Sequence, residues 1–327
     1  MRYLTFLMLF SVIFAGELTV DLSYSPADFT FDQQGEWTHI RMSDGVAIGE
    51  IGGPEILSEP INILLPPGTK AKSVRIVEAS YTTLVDGIEI APYTPEQIRP
   101  MPGFVQNIQS ATADKQIYSE NRWFPENPVD FSGSGNIGGY SVAGLVVKPI
   151  RYNPATGEVQ YLQSMKIAVE YKSANVPSPA VRSIKSAEIF RRMISHLVKN
   201  PETIDEYSTR WTIDVGAKDY LIVVPDESWA EMDTVARLRL TLRRQGWNDT
   251  LVTATELESS FPGVDLPEHI RNGIKSIWES TGIAAVLLVG DQSLLGLRYA
   301  YAMDSEAGYY PDNENDIPCD LYFSDLD

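Results

Sequence analysis

With 327 residues, 43% of them hydrophobic and 10% aromatic, the chain has ordinary globular composition and room for about two domains. Its formal charge of −18, from 44 acids against 26 bases, argues against a nucleic-acid partner, because phosphate binding needs clustered Lys and Arg. A single cysteine builds no intramolecular disulfide, so stability must come from packed cores.

Arg2 is followed by an apolar run, Tyr3 to Ala15, that ends on a small residue. The pattern predicts a secretory signal peptide over residues 1–16, cleaved near Ala15 or Gly16, and hence a secreted or cell-surface protein. A membrane-spanning helix takes roughly 20 apolar residues. Here Glu17 and Asp21 follow at once, so no integral membrane segment is expected after cleavage.

From Glu17 to about Tyr171 the texture is β-type: "WTHIRM", "INILLP", "SVRIVEASYTTL", "YSVAGLVVKPIRY" and "EVQYLQSMKIAVEY", broken by Gly, Pro, Asn and Asp. Several runs alternate with period two, and "YNPATGE" has the turn chemistry of a hairpin. Strands at this spacing predict an antiparallel sandwich or barrel. The prolines between Pro92 and Pro128 predict a long surface excursion. "SGSGNIGG" lacks a following helix, so it reads as a flexible turn and not a phosphate loop. No nucleotide cofactor is expected.

After "SANVPSP" the pattern changes. Residues 183–199 place Ile184, Ile189, Met193 and Leu197 near helical spacing, and Pro201 ends the run. Two readings stand: a linker helix open to proteolysis through Arg182, Lys185, Arg191 and Arg192, or a docked connecting helix. From Lys218 the sequence alternates α and β. "YLIVVP" fits a strand buried on both faces, and Ser228 with Glu231 suggests a capping box for a helix running to Gly246. "TLVTATEL" reads as the second strand, Asp265 with Pro267 and Glu268 opens another helix, and "AAVLLVGD" is the third strand. Such an order predicts right-handed crossovers and a parallel sheet. Ligands then belong at the C-terminal strand ends, Pro225 to Glu227, Glu256, and Gly290 to Gln292.

The succession "DYLIVVPDESW", "RLRLTLRRQGW", "TLVTATEL", "IRNGIKSIWES", "AAVLLVGD" and "IPCDLYFSDLD", over Asp219 to Asp327, resembles the opening of the catalytic domain in the gingipain family of cysteine peptidases. Upstream, "GGYSVAGLVVKPIRYNPATGEVQYLQSMKIAVEY" resembles the last strands of the gingipain propeptide. The resemblance implies a zymogen: a signal peptide at 1–16, a β-rich propeptide at 17–172, a linker with a helix at 173–217, and the N-terminal part of a caspase-like peptidase domain at 218–327. The implied fold is an antiparallel β-sandwich-like prodomain followed by an α/β domain with a parallel sheet. The implied activity is that of a cysteine endopeptidase on protein or peptide substrates, held latent by intramolecular contact between prodomain and catalytic domain. In that family a His and a later Cys form the dyad, both downstream of the matched segment, so no catalytic residue is assigned in this chain and it is expected to be inactive alone. The alternative is a non-enzymatic secreted or cell-surface binding protein with a degenerate peptidase domain.

The residues are consistent with that expectation. A catalytic thiolate needs a cation or a helix N-terminus beside it, whereas Cys319 follows Pro318 between Asp316 and Asp320. It shares the phase of Leu321 in the alternating run Ile317 to Ser324 and reads as a small buried hydrophobe at a sheet edge. His39 and His196 have no cysteine nearby in sequence, and His269 lies in the first turn of a helix, where the dipole disfavours an imidazolium. A Cys319–His269 dyad is the one pairing the sequence leaves open. The acids Asp312, Glu314, Asp316, Asp320, Asp325 and Asp327 are hard oxygen donors of the kind calcium prefers. With the structural calcium that the resemblance implies, they suggest a cation loop with Asp320, Asp325 and Asp327 as ligands. A solvated acidic loop is the other reading, and Asp291 reads as a cap or turn former at its strand end.

Overall fold

The computed structural model describes residues 15–94, 112–207, 211–300, 317–324 and 326. The chain divides into two compact units. One takes the described residues up to Gly135, with Ser141–Ala174 and Leu197–Asn200; the other takes Asn136–Tyr140, Asn175–His196 and the described residues from Pro201 on. Among the described residues, no helix is long and apolar enough to cross a membrane.

The first unit is mostly β-strand. Its elements are β1 (Ala15–Leu22), β2 (Thr30–Gln34), β3 (Trp37–Arg41), β4 (Val46–Ile48), β5 (Ile56–Leu64), β6 (Thr69–Val85), the short helix α1 (Lys115–Tyr118), β7 (Val129–Ile137, of which the residues to Gly135 belong here), β8 (Tyr140–Val147, from Ser141 on), β9 (Ile150–Asn153) and β10 (Glu158–Ser173). One sheet has β10 between β1 and β6, with β9 also paired to β10; another runs β4-β5-β8-β7. The register Leu18↔Val169, Val20↔Ile167, Leu22↔Met165 puts apolar partners opposite one another, as period-two alternation requires. Val20 and Ile167 from one sheet and Ile63, Leu145 and Val147 from the other meet in a single buried cluster. Truncating such a Leu or Ile to Ala costs about 2–5 kcal/mol.

The turn read in "YNPATGE" joins β9 to β10. Gly157 there has φ +74°, and a Cβ would lie 2.9 Å from the Ile88 carbonyl oxygen, so the position takes glycine on two counts. "SGSGNIGG" is different from its sequence reading. Ser132 to Ile137 continue β7, and only Gly138 and Gly139, with φ +57° and +91°, make the reversal into β8. Glycine in a strand lowers propensity without preventing pairing, and β8 supplies the partner. The excursion expected from Pro92 to Pro128 carries α1 in its described part; residues 95–111 lie outside the described residues.

The second unit contains β11 (Val181–Arg182), α2 (Ile184–Leu197, of which the residues to His196 belong here), β12 (Thr212–Ile213), β13 (Tyr220–Val224), α3 (Glu227–Ala230), α4 (Asp233–Arg244), β14 (Asp249–Thr253), α5 (Ala254–Ser260), α6 (Leu266–Thr281), β15 (Ala285–Leu288), α7 (Gln292–Leu295), β16 (Arg298–Ala300), β17 (Ile317–Cys319) and α8 (Leu321–Ser324). The main sheet is parallel, in the order β14-β13-β15. The run "LIVV" fills the middle strand because both of its faces are covered. Leu221 and Val223 pack with Leu257, Ile270, Ile274 and Trp278. Ile222 and Val224 pack with Val235 and Leu242 of α4.

Three local readings are corrected. The helix after β13 is two helices: Asp226, not Ser228, caps α3, and Glu231 ends it. Met232 then becomes the N-cap of α4 and is exposed, so the apolar stripe on that helix starts at Val235. The second strand stops at Thr253 because Thr253 and Glu256 form a capping box that turns "ATELESS" into α5. At the end, the alternation expected to carry Leu321 and Phe323 into a core breaks at Asp320. A turn of helix follows, in which Phe323 is buried and Leu321 is 69% exposed. β17 pairs antiparallel with β16 and is not an edge of the parallel sheet.

Candidate functional site

Parallel strands all point their C-terminal ends at one edge, and the helices that follow begin there with unpaired N–H groups. In the second unit this edge is built from three caps. Asp226 Oδ1 accepts from the Ser228 N–H at 2.8 Å and from Ser228 Oγ at 2.5 Å. Glu256 N–H donates to Thr253 Oγ1 at 3.0 Å, while the Thr253 N–H donates back to Glu256 Oε2 at 2.9 Å. Asp291 Oδ1 accepts from the Ser293 N–H at 2.8 Å. The hydrogen bond from its serine holds the Asp226 carboxyl below the usual carboxylate range, and the same cause acts on Asp291.

Asp226, Glu227, Ser228, Thr253, Thr255, Glu256 and Ser259 line a cavity of about 440 Å³. Thr255 ties its two sides together, with Oγ1 donating to the Pro225 carbonyl at 3.3 Å. The strand-end expectation therefore brings Asp226, Glu227 and Glu256 to one place, and leaves Gly290 to Gln292 outside that lining. The lining offers carboxylates and hydroxyls, with no thiol, imidazole or cation. Chemically it can accept hydrogen bonds and hold positive charge; it has no activated nucleophile.

The sulfur and imidazole groups lie elsewhere. Cys319 is a free, partly exposed thiol on β17, its backbone paired with Arg298. His39 Nδ1 lies 2.9 Å from Glu55 Oε2 in the first unit, beside Arg41, which donates to Glu55 Oε1 at 2.7 Å. His196 is exposed near the end of α2. His269 Nδ1 lies 2.5 Å from the Phe261 carbonyl oxygen, so its ring faces the loop before α6. No hydrogen bond joins Cys319 to an imidazole among the described residues, and the Cys319–His269 pairing has no support.

Of the expected metal ligands, Asp320 sits exposed in the turn after β17, while Asp325 and Asp327 lie outside the described residues, as do Asp312, Glu314 and Asp316. Among the described residues no group of three carboxylate, thiol or imidazole side chains could hold a metal ion. Asp320 instead borders a largely apolar cavity of about 940 Å³ with Ile274, Trp278, Val286, Leu288 and Phe323.

Sequence reasoning also missed Arg182, which is wholly buried. Its guanidinium lies between the rings of Phe190 and Trp211, at 4.4 and 4.3 Å, and donates to the Gly138 carbonyl. Burial lowers its pKa to about 10. The aromatic residues around it were the available signal, spread over the segment that follows "SANVPSP".

Comparison with known proteins places these units. The family described as Propeptide_C25 matches residues 27–203, more than half of the chain, and Peptidase family C25 matches residues 214–327. No curated protein matches. Among solved structures, one described as a complex of Porphyromonas gingivalis RgpB pro- and mature domains has 20% identity and a TM-score of 0.43, covering 57% of this chain and 92% of that one. Another, on the zymogenic latency of gingipain K from Porphyromonas gingivalis, has 14% identity and a TM-score of 0.36, covering 50% of this chain and 95% of that one. With a propeptide match followed directly by a peptidase match, the chain belongs to the gingipain, or C25, family of cysteine peptidases and is a precursor that carries its propeptide.

Proposed function

We propose that this precursor is exported and latent, and that it cleaves no peptide by itself. The observation that carries the reading is the order of the two family matches, propeptide and then peptidase, in one chain. In this reading the β-rich first unit is an antiparallel sandwich that serves as the inhibitory propeptide. The second unit is the beginning of a caspase-like catalytic domain whose substrates are proteins or peptides.

The placement of the thiol and imidazole groups supports latency. The chain has one cysteine and three histidines. A cysteine peptidase needs a thiolate with a base in hydrogen-bond reach. Cys319 has no such base among the described residues, His39 and His269 are engaged elsewhere, and His196 is exposed. Export rests on Arg2 and the apolar run to Ala15, which lies mostly outside the described residues. A calcium ion at Asp320, Asp325 and Asp327 rests on the acidic sequence and on the family resemblance, and no step depends on it. A second reading is a secreted or cell-surface binding protein with a degenerate peptidase domain.

Both readings meet one experiment. The purified protein is incubated with peptides carrying basic and non-basic residues, and separately with an active C25 peptidase at micromolar concentration. The expected result is no cleavage in the first arm and inhibition in the second. Cleavage that Cys319→Ala abolishes would sink latency, and no inhibition would leave the binding-protein reading.

A further inference from the structure

The residues just before β13, β14 and β15 all carry contacts from one short stretch of the propeptide match, Ala180 to Ser186. Ser183 Oγ donates to Asp219 Oδ1, immediately before β13, and both residues are buried. Lys185 Nζ donates to the Gln245 carbonyl at 2.9 Å and lies 4.0 Å from the ring centre of Trp247, two residues before β14. Ser186 Oγ donates to the Gly282 carbonyl at 2.7 Å, and the Ala180 N–H donates to the Glu279 carbonyl at 2.7 Å, at the end of α6 and just ahead of β15. Gly282 is shaped to this stretch: its φ is +71°, and a Cβ there would come within 2.1 Å of the Val181 carbonyl oxygen. Arg182, clamped between Phe190 and Trp211, fixes the backbone from which Val181 and Ser183 reach the sheet.

All these contacts fall on the amino-terminal edge of the parallel sheet. The cavity lined by Asp226, Thr253 and Glu256 is at the carboxyl-terminal edge. Five residues of strand separate the two edges, about 16 Å at roughly 3.3 Å per residue. A segment held at the first edge cannot cover the second.

We infer that the amino-terminal edge of the peptidase sheet is a docking surface for the propeptide's terminal arm, Ala180 to Ser186, separate from the carboxyl-terminal edge where parallel sheets take ligands. The contacts are two hydrogen bonds to buried groups, at Asp219 and Gly282, two to the carbonyls of the exposed Gln245 and Glu279, a cation over an aromatic face and close packing on a glycine, and none depends on the peptide bonds between the two family segments. The arm therefore keeps its hold after the backbone is cut between them. This inference needs only the family assignment, and it stands or falls independently of the proposed latency.

The test is a full chain with a specific-protease site inserted between Val215 and Gly216, both exposed. After cleavage, the fragment ending at Val215 and the one starting at Gly216 are expected to elute together. Lys185→Ala and Ser183→Ala are each expected to speed their separation at least tenfold in moderate urea, while Glu227→Gln and Ser259→Ala at the opposite edge leave it unchanged. Because Ser183→Ala touches a buried carboxylate, hydrogen exchange on the uncut chain gives a second reading. The variants should expose the amides of Asp219, Gly282 and Ala284 and spare those of Ser228 and Glu256. Immediate separation of the wild-type fragments overturns the inference. So does equal sensitivity at the two edges, or exchange that rises at neither or at both.

Discussion

Arg239 Nε donates to Asp249 Oδ2 across 2.6 Å, fastening α4 to the first residue of β14. The carboxylate has no solvent access, while Arg239 keeps about a third of its side chain in water. Arg243 Nε donates to the other oxygen at 2.5 Å. The two partners are therefore not equivalent. Removing an arginine strands a buried charge, whereas removing the carboxylate frees arginines that can be hydrated.

From this, Arg239→Met is expected to destabilise the chain by roughly 1.5–3 kcal/mol, the range for a hydrogen bond to a charged group. Asp249→Asn should cost less than Arg239→Met and Arg243→Met combined. Burial alone would raise the Asp249 pKa, but the bonds from Arg243 and Arg239 outweigh it and hold the carboxyl below its ordinary range. A depressed folded-state pKa contributes stability that is present above the unfolded value, about 3.9, and is lost as pH falls through the folded one. Urea melts at pH 7 and pH 3 should therefore converge for Asp249→Asn relative to wild type. A variant whose deficit grows in acid contradicts the assignment.

Thr253 is both the end of a strand and the cap of α5. Thr253→Ala removes the acceptor for the Glu256 N–H and is expected to cost about 1 kcal/mol, the usual value for such a cap. Thr253→Ser should recover most of it, since the oxygen matters more than the methyl group. If the serine variant is as unstable as the alanine one, packing of the buried methyl and not the cap sets the effect.

Gly282 ends α6 in the left-handed region. Gly282→Ala adds roughly 1–2 kcal/mol of backbone strain, and its Cβ would meet the Val181 carbonyl oxygen as well. The loss measured by thermal melting should exceed that of Gly35→Ala, which shares a positive φ of +65° but has nothing within 4 Å. Equal losses would mean that the close approach to Val181 contributes nothing.

For the acidic segment, calcium titration should raise the melting temperature if Asp320, Asp325 and Asp327 bind the ion together. A hundredfold excess over Kd would contribute about 2.7 kcal/mol. Magnesium at the same concentration controls for screening of the −18 net charge. A shift of equal size with both ions, or with neither, removes the site.

The sequence was readable where one local demand acted alone. "LIVV" is a continuous apolar run because β13 is covered on both faces, and Leu221 to Val224 are all buried. Asp265 with Pro267 and Glu268 announces α6 because unpaired N–H groups at a helix start need an acceptor nearby, and Asp265 supplies it at 3.1 Å. Gly157 marks its hairpin since few other residues take that backbone angle. Where two demands competed, the pattern misled. "TLVTATEL" alternates like a strand and also contains Thr-x-x-Glu, and a window that short fits either form. Pairing with β13 runs out at Thr253, and the cap then takes over. The run after Pro318 likewise alternates, yet it turns helical at Asp320, placing Phe323 inside and Leu321 outside.

By itself, the sequence determined which groups are available, one cysteine and three histidines, because folding cannot enlarge that inventory. It also determined the family, through the order of its strands and helices. Only the tertiary structure decided where those groups stand: His269 against the Phe261 carbonyl, Cys319 beside Arg298, and Arg182 buried between two rings. An arginine is mostly exposed on average, and nothing within a few residues of position 182 marks it for burial. Phe190 and Trp211 come from 8 and 29 residues further along the chain, and the cost of desolvating the guanidinium is offset only once the fold brings both rings and the Gly138 carbonyl to it.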